Sequence, residues 1–183
     1  MQKNKFVYGR FEDIRYFDKI RNQLLEELQP VAPENKYLYD VFKSDAETIC
    51  ISIRRGDYVS NKNLEKTFNI CNREYFEKAV NYMKEKIDNP VFIVFSGDIE
   101  WCRENINFFR NNKCYYESGK DEVWEKLRLM YMCKHFIISN STFSWWSQYL
   151  SRNESKIVIA PSYWFNNKDG NKYSLLLDSF IKM

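Results

Sequence analysis

The sequence predicts an α/β domain in which a parallel sheet carries helices on both faces. Two observations support this: short apolar runs of strand length recur along the chain, and segments with helical spacing alternate with them. Strands that alternate with helices are joined by crossover connections, which make neighbouring strands parallel and cover both faces of the sheet.

Five segments are predicted strands because they are short, apolar and rich in β-branched or aromatic residues. They are residues 48–53, 91–95, 113–116, 135–138 and 156–160. The second is a continuous apolar run, which is typical of a strand buried on both faces, whereas the third has the weakest pattern. Pro161 ends the last of them.

Helical spacing predicts the segments between the strands. Residues 10–29 place apolar side chains on one face, and a polar stretch without a predicted element follows through residue 45. Asn72 and Asp98 each stand where a helix N-cap is expected, ahead of apolar residues spaced by three or four. Two more helices are predicted over residues 123–131 and 143–150.

Composition excludes several classes of function. The 28 basic and 25 acidic residues are evenly mixed, with a net charge of +3, so we expect no nucleic-acid partner. The five cysteines are widely spaced and form no C-x-x-C pair, which favours reduced thiols and a cytoplasmic protein. No apolar run approaches the roughly 18 residues of a membrane span, so membrane association is at most peripheral. No His, Asp or Glu cluster has metal-ligand spacing, so we expect no metal.

We divide the chain into a helical lead-in, residues 1–46, and an α/β domain, residues 47–183. In such domains, ligands bind outside the carboxyl ends of the parallel strands. That rule selects three polar segments, which follow the first, second and fourth predicted strands: residues 54–58, 96–98 and 139–144.

Arg54, Arg55, Gly56 and Asp57 follow the first strand. Arginine offers a planar, permanently charged group that suits phosphate oxygens, and Gly56 lets the backbone turn sharply. Asp57 is placed to orient an arginine or to act on a substrate hydroxyl. The alternative is a surface ion pair in a loop, and the position at a strand end favours the functional interpretation.

The other two segments each allow two interpretations. Asp98, after Ser96 and Gly97, is either a helix cap or a carboxylate that binds a nucleotide base or ribose; its spacing favours the cap, and both roles are compatible. Polar residues after the fourth strand form either an anion site at a helix start or the N-cap of an aromatic core helix. They are Asn140, Ser141, Thr142 and Ser144. His135 opens a buried strand and is predicted to be structural.

Three motifs, in this order and spacing, resemble the bacterial α-1,2-fucosyltransferases of glycosyltransferase family eleven. They are ISIRRGDYV (51–59), VFSGDIEWC (94–102) and MCKHFIISNSTFSWW (132–146). Residues 8–11 and 159–165 fit the same family, so the resemblance covers nearly the whole chain.

The resemblance implies a two-lobed GT-B fold, of which this chain would be the C-terminal, Rossmann-like donor-binding lobe. It implies GDP-fucose as the donor, a galactose-containing glycan as the acceptor, and inversion without a metal or other cofactor. We therefore expect a galactoside 2-α-L-fucosyltransferase or its donor-binding part. The alternatives are a GDP-sugar-binding module without catalysis and a purely structural domain.

On this resemblance, Arg54 would neutralise the diphosphate as the bond to fucose breaks, and Arg55 would hold the loop or assist. Asp57 is the candidate base for the acceptor hydroxyl, and Asp98 would contact the guanosine. The remaining residues expected to bind GDP-fucose are Ser96, Asn140, Ser141, Thr142 and Ser144.

The chain departs from the family pattern in three places. Ser52 stands where the family usually has a histidine, and Gly97 stands where it usually has the first of two acidic residues. The glycine-rich G-G-x-G-N-Q segment of the family's first lobe does not occur. We therefore expect the chain to begin partway into such a protein.

Overall fold

A computed structural model of the chain describes residues 6–9, 11–28, 36–68, 71–109, 111–166 and 175–183. These residues form a six-stranded sheet. Its strands are β1 (Thr48–Ile53), β2 (Val91–Ser96), β3 (Cys114–Tyr116), β4 (His135–Ile137), β5 (Val158–Ala160) and β6 (Ile181–Lys182). All five predicted strands are confirmed. The short β6 was not predicted, because two residues carry no periodicity.

The strand order is β3-β2-β1-β4-β5-β6, and every pair is parallel. This is the order of a Rossmann-like, doubly wound sheet, which confirms the predicted fold class. The chain reverses its direction of winding between β1 and β4, which are hydrogen-bonded neighbours in which Ile51 pairs with Ile137. A crevice is expected outside the carboxyl ends of these two strands.

Helices cover both faces of the sheet. They are α1 (Arg21–Glu27), α2 (Lys36–Lys43), α3 (Asp57–Ser60), α4 (Lys62–Phe68), α5 (Arg73–Lys86), α6 (Ile99–Asn105), α7 (Val123–Tyr131) and α8 (Thr142–Leu150). Alternate residues of β1 enter different cores: Ile51 packs with α5 and α6, whereas Cys50 packs with α2, α7 and α8. This alternation follows from the two-residue period of a strand.

The lead-in differs from its prediction. The predicted helix over residues 10–29 is two 3₁₀ turns, Ile14–Tyr16 and Asp18–Ile20, followed by α1, and its predicted end residues lie outside the described part. The polar stretch after it contains α2, which was not predicted. Leu38 and Val41 of α2 enter the core and Phe42 packs against it, so the helix has an apolar face at a spacing of three and four that the sequence prediction overlooked.

The lead-in packs on α8. The Phe17 ring contacts the rings of Trp145 and Tyr149, and Arg21 donates to the Tyr149 carbonyl at 3.0 Å. The boundary between residues 46 and 47 stays a prediction. None of the helices in the described part is long and apolar enough to cross a membrane.

Candidate functional site

Two cavities adjoin at the carboxyl edge of the sheet, where the strand order predicts a ligand crevice. Their volumes are about 260 and 210 Å³. Arg54, Ser141 and Phe143 line both cavities, so the two spaces meet at these side chains. The three strand-end segments selected from the sequence all contribute to this region.

The larger cavity has mainly apolar walls. Ile53 and Phe95 come from strand ends, Val123 and Met130 from α7, and Phe143 from α8. Gly97 and six polar residues complete the lining: Ser52, Arg54, Ser96, Lys126, Ser141 and Ser144. Apolar walls with a few directed polar groups are typical of a site for an organic ligand.

The smaller cavity lies at the amino end of α8. Ser141 is the N-cap, and Thr142 begins the helix; the N–H groups of a first helical turn attract anions. Arg54 adds a positive charge to the same cavity. Four aromatic side chains also line this cavity: Tyr58, Phe68, Trp164 and Phe165.

The two adjacent arginines have different surroundings. Arg55 donates from Nε to Asp98 Oδ2 at 3.1 Å, and its guanidinium lies 3.4 Å from the centre of the Trp101 ring. Arg54 is exposed at the cavity edge, 5.1 Å from the centre of the Tyr58 ring. Arg55 is thus held within the protein, while Arg54 borders both cavities.

Asp98 has both of its oxygens engaged. Oδ2 accepts from Arg55, and Oδ1 accepts from the N–H of Trp101 at 3.4 Å, so the predicted cap of α6 is confirmed. Asp98 does not line either of the two cavities. Its contact with guanosine stays a prediction, and the observed bonds support a role in holding Arg55.

Gly56 turns the chain from β1 into α3 with a φ of +47°, in the left-handed region that glycine adopts without strain. Asp57 begins α3, and its side chain lies outside the described part. Its predicted role as a base therefore stays a prediction. Tyr58 stacks on Phe68 with ring centres 4.9 Å apart, which steadies the segment beside Arg54.

Asn140 connects three segments. Its side-chain Nδ2 donates to the carbonyls of Phe68 and Trp164, both at 2.9 Å, and its Oδ1 accepts from the Cys71 thiol at 3.6 Å. Burial raises the pKa of Cys71 to about 12, so the thiol keeps the proton that it donates. These bonds support a positioning role for the Asn140 side chain, and its contact with phosphate stays a prediction.

Three serines form a hydrogen-bonded chain below the larger cavity. Ser144 Oγ lies 2.6 Å from Ser52 Oγ and 3.2 Å from Ser139 Oγ. Ser52 and Ser144 are 92 positions apart in the sequence, so the hydrogen bond between them joins the end of β1 to the start of α8. Ser144 is both a cavity residue and part of this structural link.

Glu117 and Lys126 form an ion pair that the sequence analysis missed. Lys126 Nζ lies 2.9 Å from Glu117 Oε2, and Glu117 Oε1 accepts from the N–H of Ser96 at 2.8 Å. Burial raises the pKa of the Glu117 carboxyl, and the neighbouring Lys126 opposes that shift. Ser96 is therefore held by a buried carboxylate, and its own Oγ accepts from the N–H of Asp98 at 3.0 Å.

Glu12 is a second residue that the sequence analysis missed. It lines the smaller cavity with Arg54, and its buried Oε2 has no hydrogen-bond partner within the described ranges. Phe11, directly before it, has a φ of +51°, which is unusual for a bulky side chain. Asp13, directly after it, caps the first 3₁₀ turn. A strained turn and a cap thus fix Glu12 at the cavity, which a single predicted helix had concealed.

Comparison with known proteins agrees with the motifs. This chain is 34% identical to an alpha-1,2-colitosyltransferase from Escherichia coli, over 96% of this chain and 61% of the relative. It is 33% identical to the O-antigen biosynthesis glycosyltransferase WbnK from Escherichia coli, over 97% of this chain and 60% of the relative. A galactoside alpha-(1,2)-fucosyltransferase 1 from Leontopithecus chrysomelas is 25% identical over 76% of this chain and 41% of its own length.

The chain spans about three fifths of the length of these two Escherichia coli relatives. No solved structure matches it significantly. The model of the family described as "Glycosyl transferase family 11" matches residues 1–178, which contain all three motifs and both cavities. On this match and on the order of its motifs, the chain belongs to glycosyl transferase family 11.

Proposed function

We propose that this chain binds GDP-fucose and supplies the donor site for transfer of L-fucose to a galactoside hydroxyl in an α-1,2 linkage. The observation that carries the proposal is the position of Arg54, where an apolar cavity meets a polar cavity at the amino end of α8. The family match and a fucosyltransferase among the relatives support the reaction class.

The two cavities suit the two ends of such a donor. The apolar walls of the larger cavity match the faces of a nucleotide base, and the smaller cavity has room beside Arg54 and Thr142 for the sugar. The diphosphate then lies at their junction, next to Arg54 and the first turn of α8. Arg54 and these N–H groups, rather than a metal, supply the positive charge in this proposal.

Arg54 acts on the leaving group. As the bond between fucose C1 and the phosphate oxygen breaks, its electron pair moves to the diphosphate, and negative charge develops beside the guanidinium. A fixed positive group at that position stabilises the transition state, and one such contact is commonly worth about 10²–10³-fold in rate.

Transfer also needs a base for the acceptor hydroxyl, which loses its proton as its oxygen bonds to C1. Asp57 remains one candidate. Glu12 is the second, because it lines the sugar-sized cavity and has a buried carboxylate oxygen without a partner in the described part of the chain. Inversion at C1 requires a base on the face of the sugar opposite the departing diphosphate, and the proposal assigns one of these two carboxylates to that face.

Calorimetric titration with GDP and GDP-fucose tests donor binding. The proposal expects both to bind, and a failure of both to bind at millimolar concentration contradicts it. Transfer of labelled fucose to a galactoside then tests catalysis. Binding without transfer supports the alternative function, a GDP-sugar-binding module.

Colitose is a second candidate for the transferred sugar. The observation that favours it is the identity of 34% to a protein named as an alpha-1,2-colitosyltransferase. Colitose is L-fucose without the 3-hydroxyl, so the two donors share the nucleotide contacts. Competition between GDP-fucose and GDP-colitose for transfer, at equal concentrations, distinguishes the two sugars.

A further inference from the structure

We propose that Lys126, positioned by the buried Glu117, recognises the donor's base by donating a hydrogen bond to a carbonyl oxygen on the base edge. The proposal rests on the function proposed above and adds what selects the nucleotide. It assigns to Lys126 the guanosine contact that the sequence analysis gave to Asp98.

Lys126 lies in the wall of the larger cavity, with 20% of its side chain exposed. Its Nζ lies 2.9 Å from Glu117 Oε2 and donates to the carbonyl of Ser96 at 3.3 Å. An ammonium group carries three hydrogens, so these contacts leave capacity to donate to a ligand. It has no acceptor capacity, so the ligand atom that it contacts must be an acceptor.

Glu117 fixes the position of that ammonium group. Its side chain is fully buried, and Oε1 is bound to the N–H of Ser96 at the end of β2. A buried ion pair contributes little net stability compared with apolar residues of similar size. A pair that costs desolvation, and that presents its cation to a cavity, is better explained by ligand recognition than by stability.

The distribution of groups in the cavity places the base beside Lys126. Apolar side chains of β1, β2, α7 and α8 provide most of the walls, and Arg54 marks the phosphate end in this proposal. Lysine pairs with the O6 and N7 acceptors of guanine, whereas adenine presents an amino group in the place of O6. The site is therefore expected to favour guanine and hypoxanthine over adenine.

The test measures the dissociation constants of GDP, IDP and ADP by calorimetry. A lost charge-assisted hydrogen bond changes affinity by about tenfold or more, so ADP should bind at least about tenfold more weakly than GDP. IDP, which retains O6 but lacks the 2-amino group, should bind within about threefold of GDP. Lys126→Met should reduce the GDP-to-ADP preference by about tenfold, and Lys126→Arg should retain it.

Two controls separate recognition from folding and from charge. Lys126→Met leaves Glu117 unpaired, so the double variant Glu117→Gln/Lys126→Met repeats the measurement without a buried charge. The GDP-to-ADP preference is the ratio of two dissociation constants measured on the same variant, so a smaller folded fraction does not change it. Lys120→Met removes the same charge from an exposed position before α7 and should leave the preference unchanged.

An unchanged GDP-to-ADP preference in Lys126→Met and in the double variant overturns the proposal. So does a wild-type chain that binds IDP about tenfold more weakly than GDP, because the 2-amino group would then carry recognition. Either result leaves the proposed function standing, since GDP still binds. If wild type binds none of the three nucleotides, both the proposed function and this inference fail.

Discussion

Charged side chains gather at both edges of the sheet, and their partners differ. At the amino edge, Glu47 lies 2.8 Å from Lys134 and 3.1 Å from His135, and Lys134 also lies 3.0 Å from Asp45. His135 accepts at Nδ1 from the N–H of Ile157 at 3.0 Å, which confirms its predicted structural role. Charges here are satisfied by one another and by the backbone.

At the carboxyl edge, paired charges stand beside cavities. Arg55 pairs with Asp98, and Glu117 pairs with Lys126. Arg54 and Lys126 also line the cavity walls, and Glu12 has a carboxylate oxygen without a partner within the described residues. The charges at the amino edge thus stabilise the fold, whereas the groups at the carboxyl edge support the proposal that a ligand binds there. Substitutions at the two edges should therefore affect different measurements.

The largest expected effect is on transfer rate in Glu12→Gln. The amide has the same shape but cannot accept the proton, so kcat should fall by about 10²–10⁴-fold, with GDP-fucose affinity unchanged. Steady-state transfer kinetics and calorimetry measure the two quantities. Glu26→Gln, the same change at an exposed position of α1, is the control. A full rate in Glu12→Gln together with a loss in Asp57→Asn would assign the base to Asp57.

Asn140→Ala should lower stability and donor affinity together. It removes the hydrogen bonds to the part-buried carbonyl of Phe68 and the buried carbonyl of Trp164, at an expected cost of about 2–4 kcal/mol in the free energy of unfolding. Urea denaturation measures this cost. Asn153→Ala is the matched change at the amino edge, where Nδ2 donates to the Lys134 carbonyl. Asn153→Ala should lower the free energy of unfolding by less than Asn140→Ala and leave GDP affinity unchanged. An equal loss of GDP affinity in the two variants would contradict the difference between the two edges.

Asp98→Ala should have a smaller effect on stability. It removes the cap of α6, worth about 1 kcal/mol, and the ion pair with the partly exposed Arg55 adds little to that. GDP affinity should fall only modestly, because Asp98 acts through Arg55. Thermal unfolding measures the change in stability, and calorimetry measures the change in GDP affinity. A loss of affinity as large as that of Arg54→Ala would instead support the direct guanosine contact.

The smallest effect is expected for Glu47 at the amino edge. Hydrogen bonds from Lys134 and His135 lower the pKa of Glu47 despite partial burial. Its stabilising contribution is therefore complete above the ordinary glutamate pKa of about 4.3 and is lost as the pH falls through the lower folded-state value. The exposed pair is worth less than about 1 kcal/mol. The free energies of unfolding of Glu47→Gln and wild type should become equal in acid. The two proteins should bind GDP with the same affinity at neutral pH.

The sequence predicts features that are encoded locally. The apolar runs of β1 and β2 and the caps Asn72 and Asp98 lie where their patterns place them, because strand and cap preferences depend on a few neighbouring residues. The strand-end rule then places Arg54 and the residues before α8 at one edge. Most of the fold and the location of the candidate site follow from these patterns.

The remaining features depend on contacts between distant residues. Lys126 lies on a helix where its spacing resembles that of a surface lysine, and only the fold brings it to Glu117 and Ser96. Ser52 is a departure from the family motif, and its bond to Ser144 joins two distant segments. Neither set of contacts leaves a pattern among neighbouring residues, so the sequence alone does not predict them.

The proposed function places a diphosphate beside Arg54, and titration of Arg54→Ala with GDP measures that contact. We expect GDP affinity to fall by about 10- to 150-fold, the value of one charge-assisted contact, with little change in thermal stability. Arg152→Ala, which removes an exposed arginine at the amino edge, should bind GDP as wild type does. Full-strength GDP binding by Arg54→Ala would contradict the placement of the diphosphate beside this residue.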